Sequence, residues 1–144
     1  MTHEDAGHYA AKHPGVELDP EIGRQLKDKI HDGLVACADA HAVATALRVS
    51  PRRVGIAIDL LEARIMDCQL GLFGSSVKPP ATSLSADAQA ALRQAVMDAL
   101  VQGRLPCAAA WKIAGRLGIA KIVVRMECDR LNIKVNHCQL GAFA

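Results

Sequence analysis

The sequence has very few aromatic residues, with one tryptophan, one tyrosine and two phenylalanines among 144 residues. Apolar residues nevertheless make up 51% of the chain, so its core must be filled mainly by alanine, leucine, isoleucine and valine. Sandwiches and barrels favour aromatic and β-branched side chains, whereas an alanine-rich aliphatic composition is typical of helices. The composition therefore predicts a mainly α protein.

The sequence also lacks the short motifs that mark common enzyme sites. It has no glycine-rich phosphate loop, no metalloprotease histidine pair, and no nucleophile with a base and an orienting acid at a recognisable spacing. His31, His41 and His137 are scattered, and a lone histidine is more often structural than catalytic. We therefore expect a protein that is not an enzyme and needs no cofactor.

Long hydrophobic runs are missing as well. No run approaches the roughly 18 apolar residues of a membrane span, and the start lacks the basic and then hydrophobic pattern of an export signal. Five cysteines, an odd number, suit reduced thiols better than a secreted disulfide framework. We expect a cytoplasmic protein without a membrane partner.

The strongest positive signal is an internal repeat with an offset of 70 residues. Residues 68–74 read CQLGLFG, and residues 138–144 read CQLGAFA. The chain therefore contains two copies of one module. The same shift aligns further identical pairs without a gap: Asp28 with Asp98, Gly33 with Gly103, Cys37 with Cys107, Ala44 with Ala114, Leu47 with Leu117, Val54 with Val124, Asp59 with Asp129 and Leu61 with Leu131.

The repeat predicts a flexible tail over residues 1–18, module 1 over 19–74, a linker over 75–83 and module 2 over 84–144. Each module has about 55 residues, near the lower limit for an independent core, so we expect the two to pack together by pseudo-twofold symmetry. The chain up to residue 74 has a net charge of −3, and the remainder has +5. Module 2 is the better candidate to bind a polyanion.

Each module is predicted to contain three helices and a short strand. We expect the first helix to run from the cap Asp19-Pro20 to Gly33, and its counterpart from near Ser85 to Gly103. The second helix should open near Cys37 or Cys107, and the third should run from Pro51 to about Ala63 or from Lys121 to about Ile133. We expect the strand to pair with the apolar link before the second helix of its own module. Pairing with the matching strand of the other module is the alternative.

Module 2 also shows the spacing of a helix-turn-helix. Ala114 is small where two helices cross, Gly118 suits the left-handed turn, and Ile119 and Val124 anchor it. Module 1 has Arg48 at the glycine position. With its first helix and its strand, each module resembles the winged-helix DNA-binding domain of molybdate-responsive and related bacterial repressors. This resemblance implies a tandem winged-helix fold and DNA binding in transcription regulation.

A recognition helix that enters a major groove should carry basic side chains in its first turns. The leading hypothesis is accordingly a DNA-binding bacterial transcription regulator, and the alternative is that these are solvated charges on amphipathic helices. The candidate DNA-binding residues are Lys121 and Arg125 in the third helix of module 2, Lys112 and Arg116 on the helix before it, and Arg52 and Arg53 in module 1.

A second hypothesis is a protein-interaction or dimerisation adaptor that keeps the winged-helix shape without reading DNA. Ile122 and Met126 flank the basic residues of the third helix, and their spacing places them away from the stripe of Val124, Cys128 and Leu131. Exposed apolar side chains usually mark a protein contact, so packing against the other module or a homodimer would account for them.

A third hypothesis is a metal or redox sensor built from the repeated cysteines. Cys37 with Cys68, and Cys107 with Cys138, would approach each other if the predicted strand pairs with the link before the second helix. However, these cysteines lack the close spacing of most structural metal sites. Packing of small apolar thiols in an alanine-rich core is the favoured interpretation.

Overall fold

The computed structural model of the protein describes residues 8–74 and 76–144. Residues 1–7, including His3 of the predicted tail, and Ser75 of the predicted linker lie outside this part. The described chain is mainly helical and divides into two compact units, which confirms the predicted class. Within it, no helix is both long enough and apolar enough to cross a membrane.

The two units contain the same series of elements. Unit 1 has a short 3-10 helix (Tyr9–Lys12), α1 (Pro20–Lys29), β1 (Leu34–Ala36), α2 (Cys37–Leu47), α3 (Pro51–Leu60) and β2 (Arg64–Met66). Unit 2 has α4 (Ala86–Ala99), β3 (Leu105–Pro106), α5 (Cys107–Leu117), α6 (Lys121–Arg130) and β4 (Val135–Asn136). From α1 and α4 onward, the elements follow the 70-residue repeat one by one.

The first helix of each unit begins where the capping residues predict. Asp19 Oδ1 accepts hydrogen bonds from the N–H groups of Glu21 at 2.9 Å and Ile22 at 3.2 Å, and Pro20 occupies the first turn. Ser85 Oγ accepts from the N–H of Ala88 at 3.1 Å. These side chains satisfy amide groups that have no partner inside the helix, so both predicted starts are confirmed.

The first helices end earlier than predicted. α1 ends at Lys29 rather than at Gly33, because residues 31–34 form a tight turn bridged between His31 and Leu34. Asp32 and Gly33 both have positive φ, at 53° and 74°, as a type I′ turn requires. The glycine therefore belongs to the turn that leads into β1, and the same arrangement precedes β3 in unit 2.

The turn between the second and third helices is the same in both units. The residue after α2, Arg48, has φ 56° and ψ 41°, and the residue after α5, Gly118, has φ 65° and ψ 36°. In each unit the next N–H, that of Val49 or Ile119, donates to a helical carbonyl at 3.0 Å. Arg48 thus adopts the glycine geometry, at a backbone cost of about 1–2 kcal/mol.

The short strands pair within each unit. β1 lies parallel to β2 with Val35 opposite Ile65, and β3 lies parallel to β4 with Leu105 opposite Val135. The predicted pairing with the link before the second helix is therefore confirmed. The strand that follows each third helix consequently has a parallel partner instead of the antiparallel hairpin of a usual wing.

The repeated segments are exchanged between the two units. Unit 1 consists of the chain up to Cys68 together with Gln139–Ala144, and unit 2 consists of Gln69–Cys138. We call residues 69–74 the first tail and Gln139–Ala144 the second tail. The predicted modules kept each tail with the helices that precede it, whereas the structure assigns the first tail to unit 2 and the second tail to unit 1. Leu70 and Leu140 are each 1% exposed, so each tail completes the core of the unit that receives it.

The structure also differs from the predicted flexible tail over residues 9–13. Tyr9 is buried, and the N–H groups of Tyr9 and Ala10 donate to the Glu62 carboxylate at 2.9 and 2.8 Å. His13 Nε2 lies 2.7 Å from Oδ2 of Asp59, a carboxylate that is itself buried on α3. These contacts make residues 9–13 part of unit 1.

Candidate functional site

The outer face of each third helix is the candidate functional site. Val124 and Cys128 are fully buried on the inner side of α6. At about 100° per residue, Ile122 lies on the opposite side from Val124. In a helix-turn-helix protein this outer side would face the DNA groove. Ile122 is nevertheless only 3% exposed.

The first tail covers the outer face of α6. A Cβ added at Gly71 would lie 2.8 Å from Ile122 Cδ1 and 3.1 Å from Arg125 Nη2, so these side-chain ends would have to shift. Gly71 also has a φ of +72°, which glycine adopts without strain. Arg125 Nε donates to the Leu70 carbonyl at 2.9 Å, and Arg125 Nη1 donates to Asp129 Oδ2 at 2.6 Å. The Leu-Gly pair of the tail is thus held by both backbone and side-chain contacts.

The second tail covers the equivalent face of α3 in unit 1. Gly55 is buried there, and a Cβ at this position would overlap the carbonyl oxygen of Leu140. Gly141, with φ +82°, lies against the guanidinium of Arg52, and a Cβ on Gly141 would overlap it. The approach of the Leu140 backbone to the Gly55 backbone requires a residue without a side chain at position 55. The same Leu-Gly pair therefore lies on the same helix face in both units.

The two faces use arginine at different positions. The repeat aligns Arg52 with Ile122 and Gly55 with Arg125. In unit 1 the guanidinium of Arg52, at the start of α3, lies against Gly141. In unit 2 the guanidinium of Arg125, almost one turn further along α6, reaches Leu70 and Gly71. Each face therefore brings one arginine to the Leu-Gly pair of its tail.

Four of the six predicted DNA-binding residues make contacts of three kinds. Arg52 and Arg125 contact the tails, as described above. Arg53 Nη2 lies 3.0 Å from Asp19 Oδ2 in an exposed ion pair. Lys121 Nζ lies 4.4 Å from the ring centroid of Trp111, in a cation–π contact.

The remaining two predicted DNA-binding residues, on the helix before α6, have exposed side chains. Lys112 and Arg116 are exposed one turn apart on α5, and within the part of the chain that the structure describes neither makes a salt bridge. Of the two apolar residues expected on the surface, Ile122 is buried under the first tail and Met126 is half-buried. The start of α6 is therefore partly closed to solvent.

The repeated cysteines divide between the units. Residues 8–74 and 76–144 contain no group of three or more His, Cys, Asp or Glu side chains that could hold a metal ion. Within those ranges no cysteine is part of a disulfide. Cys37 and Cys68 lie buried in unit 1, and Cys107 lies buried in unit 2 with the half-buried Cys138.

Cys128 occupies the core position that Ile58 has in unit 1. Burial, together with the negative charges of Asp129 and Glu127, raises the pKa of the Cys128 thiol to about 11. The thiol therefore stays protonated near neutral pH, where only a thiolate would act as a nucleophile or a metal ligand. Cys128 is a packing residue.

Each unit also has a groove between its first and third helices. In unit 1 the groove has a volume of about 190 Å³, and the Arg53–Asp19 ion pair lies at its edge. In unit 2 the groove has a volume of about 630 Å³, and it is lined by Pro79 and Pro80 of the linker as well as by Val123 of α6. The linker thus contributes to unit 2.

Sequence reasoning recognised the repeated tails but missed the faces that receive them. The recurrence of Gly71 and Gly141 in the repeat was the available signal that something approaches them closely. Gly55 carried no such signal because its repeat partner is Arg125. Comparisons of the chain with protein-family models, curated proteins and solved structures found no match.

Proposed function

We propose that the protein is a protein-interaction module, in which the outer face of each third helix binds a Gln-Leu-Gly segment. The observation that carries this proposal is the double occurrence of one contact. The Leu140 carbonyl lies on Gly55 of α3, and the Leu70 carbonyl accepts from Arg125 of α6. A face that receives the same segment twice, with a glycine seated on it each time, acts as a segment-binding site.

The same contact argues against base reading by these helices. Reading a base edge requires donors on the outer face of a helix that is free to enter a major groove about 12 Å wide. Ile122 is buried on that face, and Arg125 is hydrogen-bonded to both Leu70 and Asp129. A base-reading function would first require removal of the tail.

We also propose that each unit is a modified winged helix. Three helices, a left-handed turn at Arg48 or Gly118, and a following short strand support this interpretation. The modification is the parallel pairing of that strand with the strand before the second helix. The tail then takes the place on the third helix that DNA would occupy.

Binding of a labelled peptide tests the interaction function. The probe is a fluorescent peptide of residues 137–144 that carries Cys138→Ser, titrated into the full-length Gly141→Val protein. Valine at position 141 disfavours the φ of +82° and overlaps Arg52, so the protein's own second tail should leave the face of α3. We expect the peptide to bind this variant and to raise its fluorescence anisotropy.

The matched control adds Gly55→Ala to the Gly141→Val protein, because a Cβ at position 55 would overlap the carbonyl of the incoming leucine. We expect the double variant to lose peptide binding while its circular dichroism keeps the helical signal. Equal binding by the single and the double variant would show that the peptide does not use this face, and the proposed function would be wrong.

DNA binding remains the second candidate, because one observation favours it. Lys112 and Arg116 are exposed on α5, in the unit whose net charge is +5. Such side chains contact phosphates without reading sequence. The test is the anisotropy of a labelled random duplex at two salt concentrations.

Phosphate binding predicts that Lys112→Ala with Arg116→Ala weakens duplex affinity and reduces its salt dependence. Lys27→Ala with Lys29→Ala on α1, both exposed, serves as the charge-matched control and should leave the affinity unchanged. If the wild-type protein binds no duplex at low salt, the DNA candidate is excluded.

A further inference from the structure

The groove of unit 2 has the size and the lining of a small-molecule site. Its volume of about 630 Å³ lies within the usual range of about 300–1,000 Å³ for such sites. Ile119, Val123 and Met126 line it, together with Leu84 beside the linker, and all four are only half-buried. Their carbon surfaces are therefore accessible to an apolar ligand that enters the groove.

The corresponding groove of unit 1 differs in both size and charge. Its volume is about 190 Å³, and Asp19 and Arg53, which line it, form the ion pair that joins the cap of α1 to α3. The repeat aligns Asp19 with Gln89 and Arg53 with Val123, and both of these residues line the groove of unit 2. Unit 2 therefore cannot form this ion pair, and an apolar side chain stands where unit 1 has its arginine.

A single arginine supplies the charge of the unit 2 groove. Among the described residues that line it, only Arg130 is charged. Arg130 Nη1 lies 3.6 Å from Glu127 Oε1, which is too far for a hydrogen bond, and its side chain is 57% exposed. The Glu127 carboxylate accepts instead from Gln89 Nε2 at 2.6 Å. The Arg130 guanidinium therefore keeps N–H donors that can bind a carboxylate through two parallel hydrogen bonds.

We propose that the unit 2 groove binds a small organic acid, with its apolar body against Val123 and Met126 and its carboxylate on Arg130. An apolar cavity with one cationic group at its wall is complementary to a molecule that combines an apolar body with one negative charge. Ile122 and Arg125, which contact the first tail, do not line this groove. The proposal is therefore independent of the segment-binding function of the faces.

The test uses naphthoate, an aromatic carboxylate, and naphthamide, its neutral counterpart. Each is titrated into the full-length protein with isotope-labelled methionine methyl groups, which are observed by NMR. Met126 lines the groove, whereas Met66 and Met97 do not, so the Met126 methyl signal reports local binding. We expect naphthoate to shift this signal to saturation and leave the other two in place. Naphthoate should bind about tenfold more tightly than naphthamide, equivalent to about 1.4 kcal/mol.

Two variants separate the charge from the cavity. Arg130→Gln should weaken naphthoate binding about tenfold and leave naphthamide binding unchanged. Arg93→Gln, at an exposed position of α4 outside the groove, is the charge-matched control and should change neither. Val123→Phe should fill the groove and abolish the binding of both compounds, with circular dichroism to verify that each variant is folded. A Met126 signal that naphthoate does not saturate, or a naphthoate affinity that Arg130→Gln leaves unchanged, would overturn the proposal.

Discussion

The two units hold the same tail by different chemistry. In unit 1, Gly55 lets the Leu140 carbonyl approach the α3 backbone, and the neighbouring Arg52 lies along Gly141. In unit 2, Arg125 takes the place of Gly55 and donates to the Leu70 carbonyl. The comparison shows that a close backbone approach and a charged hydrogen bond can serve the same purpose at one position of a repeat.

The same contrast extends to the repeated aspartate. Asp59 is buried in unit 1, where His13 lies at 2.7 Å and Lys12 at 3.4 Å. Asp129 is exposed in unit 2 and accepts from Arg125 at 2.6 Å. Unit 1 therefore uses its aspartate to hold the segment at residues 9–13, whereas unit 2 uses it to orient the arginine that holds the tail.

The largest difference between the units should appear when Gly55 is replaced. Gly55→Ala introduces a Cβ that overlaps the Leu140 carbonyl, so we expect the free energy of unfolding to fall by about 2 kcal/mol. Gly115→Ala on α5 is the control, because a Cβ there meets nothing within 4 Å. That variant should gain about 0.5–1 kcal/mol from helix propensity. Urea denaturation measures both, and a gain in stability for both variants would contradict the close approach at Gly55.

The next largest difference in stability is expected from variants that affect Asp59 and Asp129. His13→Ala removes the nearest partner of the buried Asp59, and we expect a loss of about 1–3 kcal/mol in the free energy of unfolding. Asp129→Asn changes an exposed carboxylate and should cost about 0.5 kcal/mol or less. Urea denaturation of the two variants checks this order. Equal losses would mean that residues 9–13 do not depend on Asp59.

Replacement of Arg125 or Arg52 should change the free energy of unfolding by a smaller amount. Arg125→Ala removes the donor to the Leu70 carbonyl and should cost about 1–2 kcal/mol, whereas Arg52→Ala should cost about 0.5 kcal/mol or less because its face retains the approach at Gly55. Arg125→Lys keeps the charge without the Nε donor and serves as the matched control. A lysine variant as stable as the wild type would show that the Nε donor of the guanidinium is not required at this position.

The left-handed turns should give the smallest effect. Arg48→Gly relieves a φ of 56° and should raise the free energy of unfolding by about 0.5–1 kcal/mol. Gly118→Arg imposes the same strain on unit 2 and should lower it by a similar amount. Thermal unfolding of the two variants should therefore shift in opposite directions, and shifts of the same sign would mean that the two turns differ.

Much of the fold could be predicted from local sequence. Asp19-Pro20 and Ser85 mark helix starts through their capping chemistry, which depends only on adjacent residues. The pairing of β1 with β2 followed from the apolar link and the position of the strand after the third helix. The early end of α1 at Lys29 was missed because Gly33 belongs to the turn that follows. A glycine after a helical run shows that the helix has ended but does not show at which residue it ended.

The tail exchange could not be predicted from the repeat. Leu70 and Leu140 sit in identical Gln-Leu-Gly contexts, so each tail fits the sequence of either module equally well. The choice depends on the direction the chain takes after Asp67 and His137, which no pattern of apolar residues records. The ordered segment at residues 9–13 was missed for a related reason, because it binds through Tyr9, His13 and backbone N–H groups and has no apolar period.

The exchange of tails also determines the order in which the two units can complete their folding. Gly55 and Leu140 are 85 positions apart in the sequence, and contacts of such long range form slowly because a large loop must close first. On the ribosome, unit 1 must wait with an incomplete core until unit 2 has been translated and residues 139–144 emerge. The two units are consequently expected to melt as one cooperative transition, although each has its own set of helices.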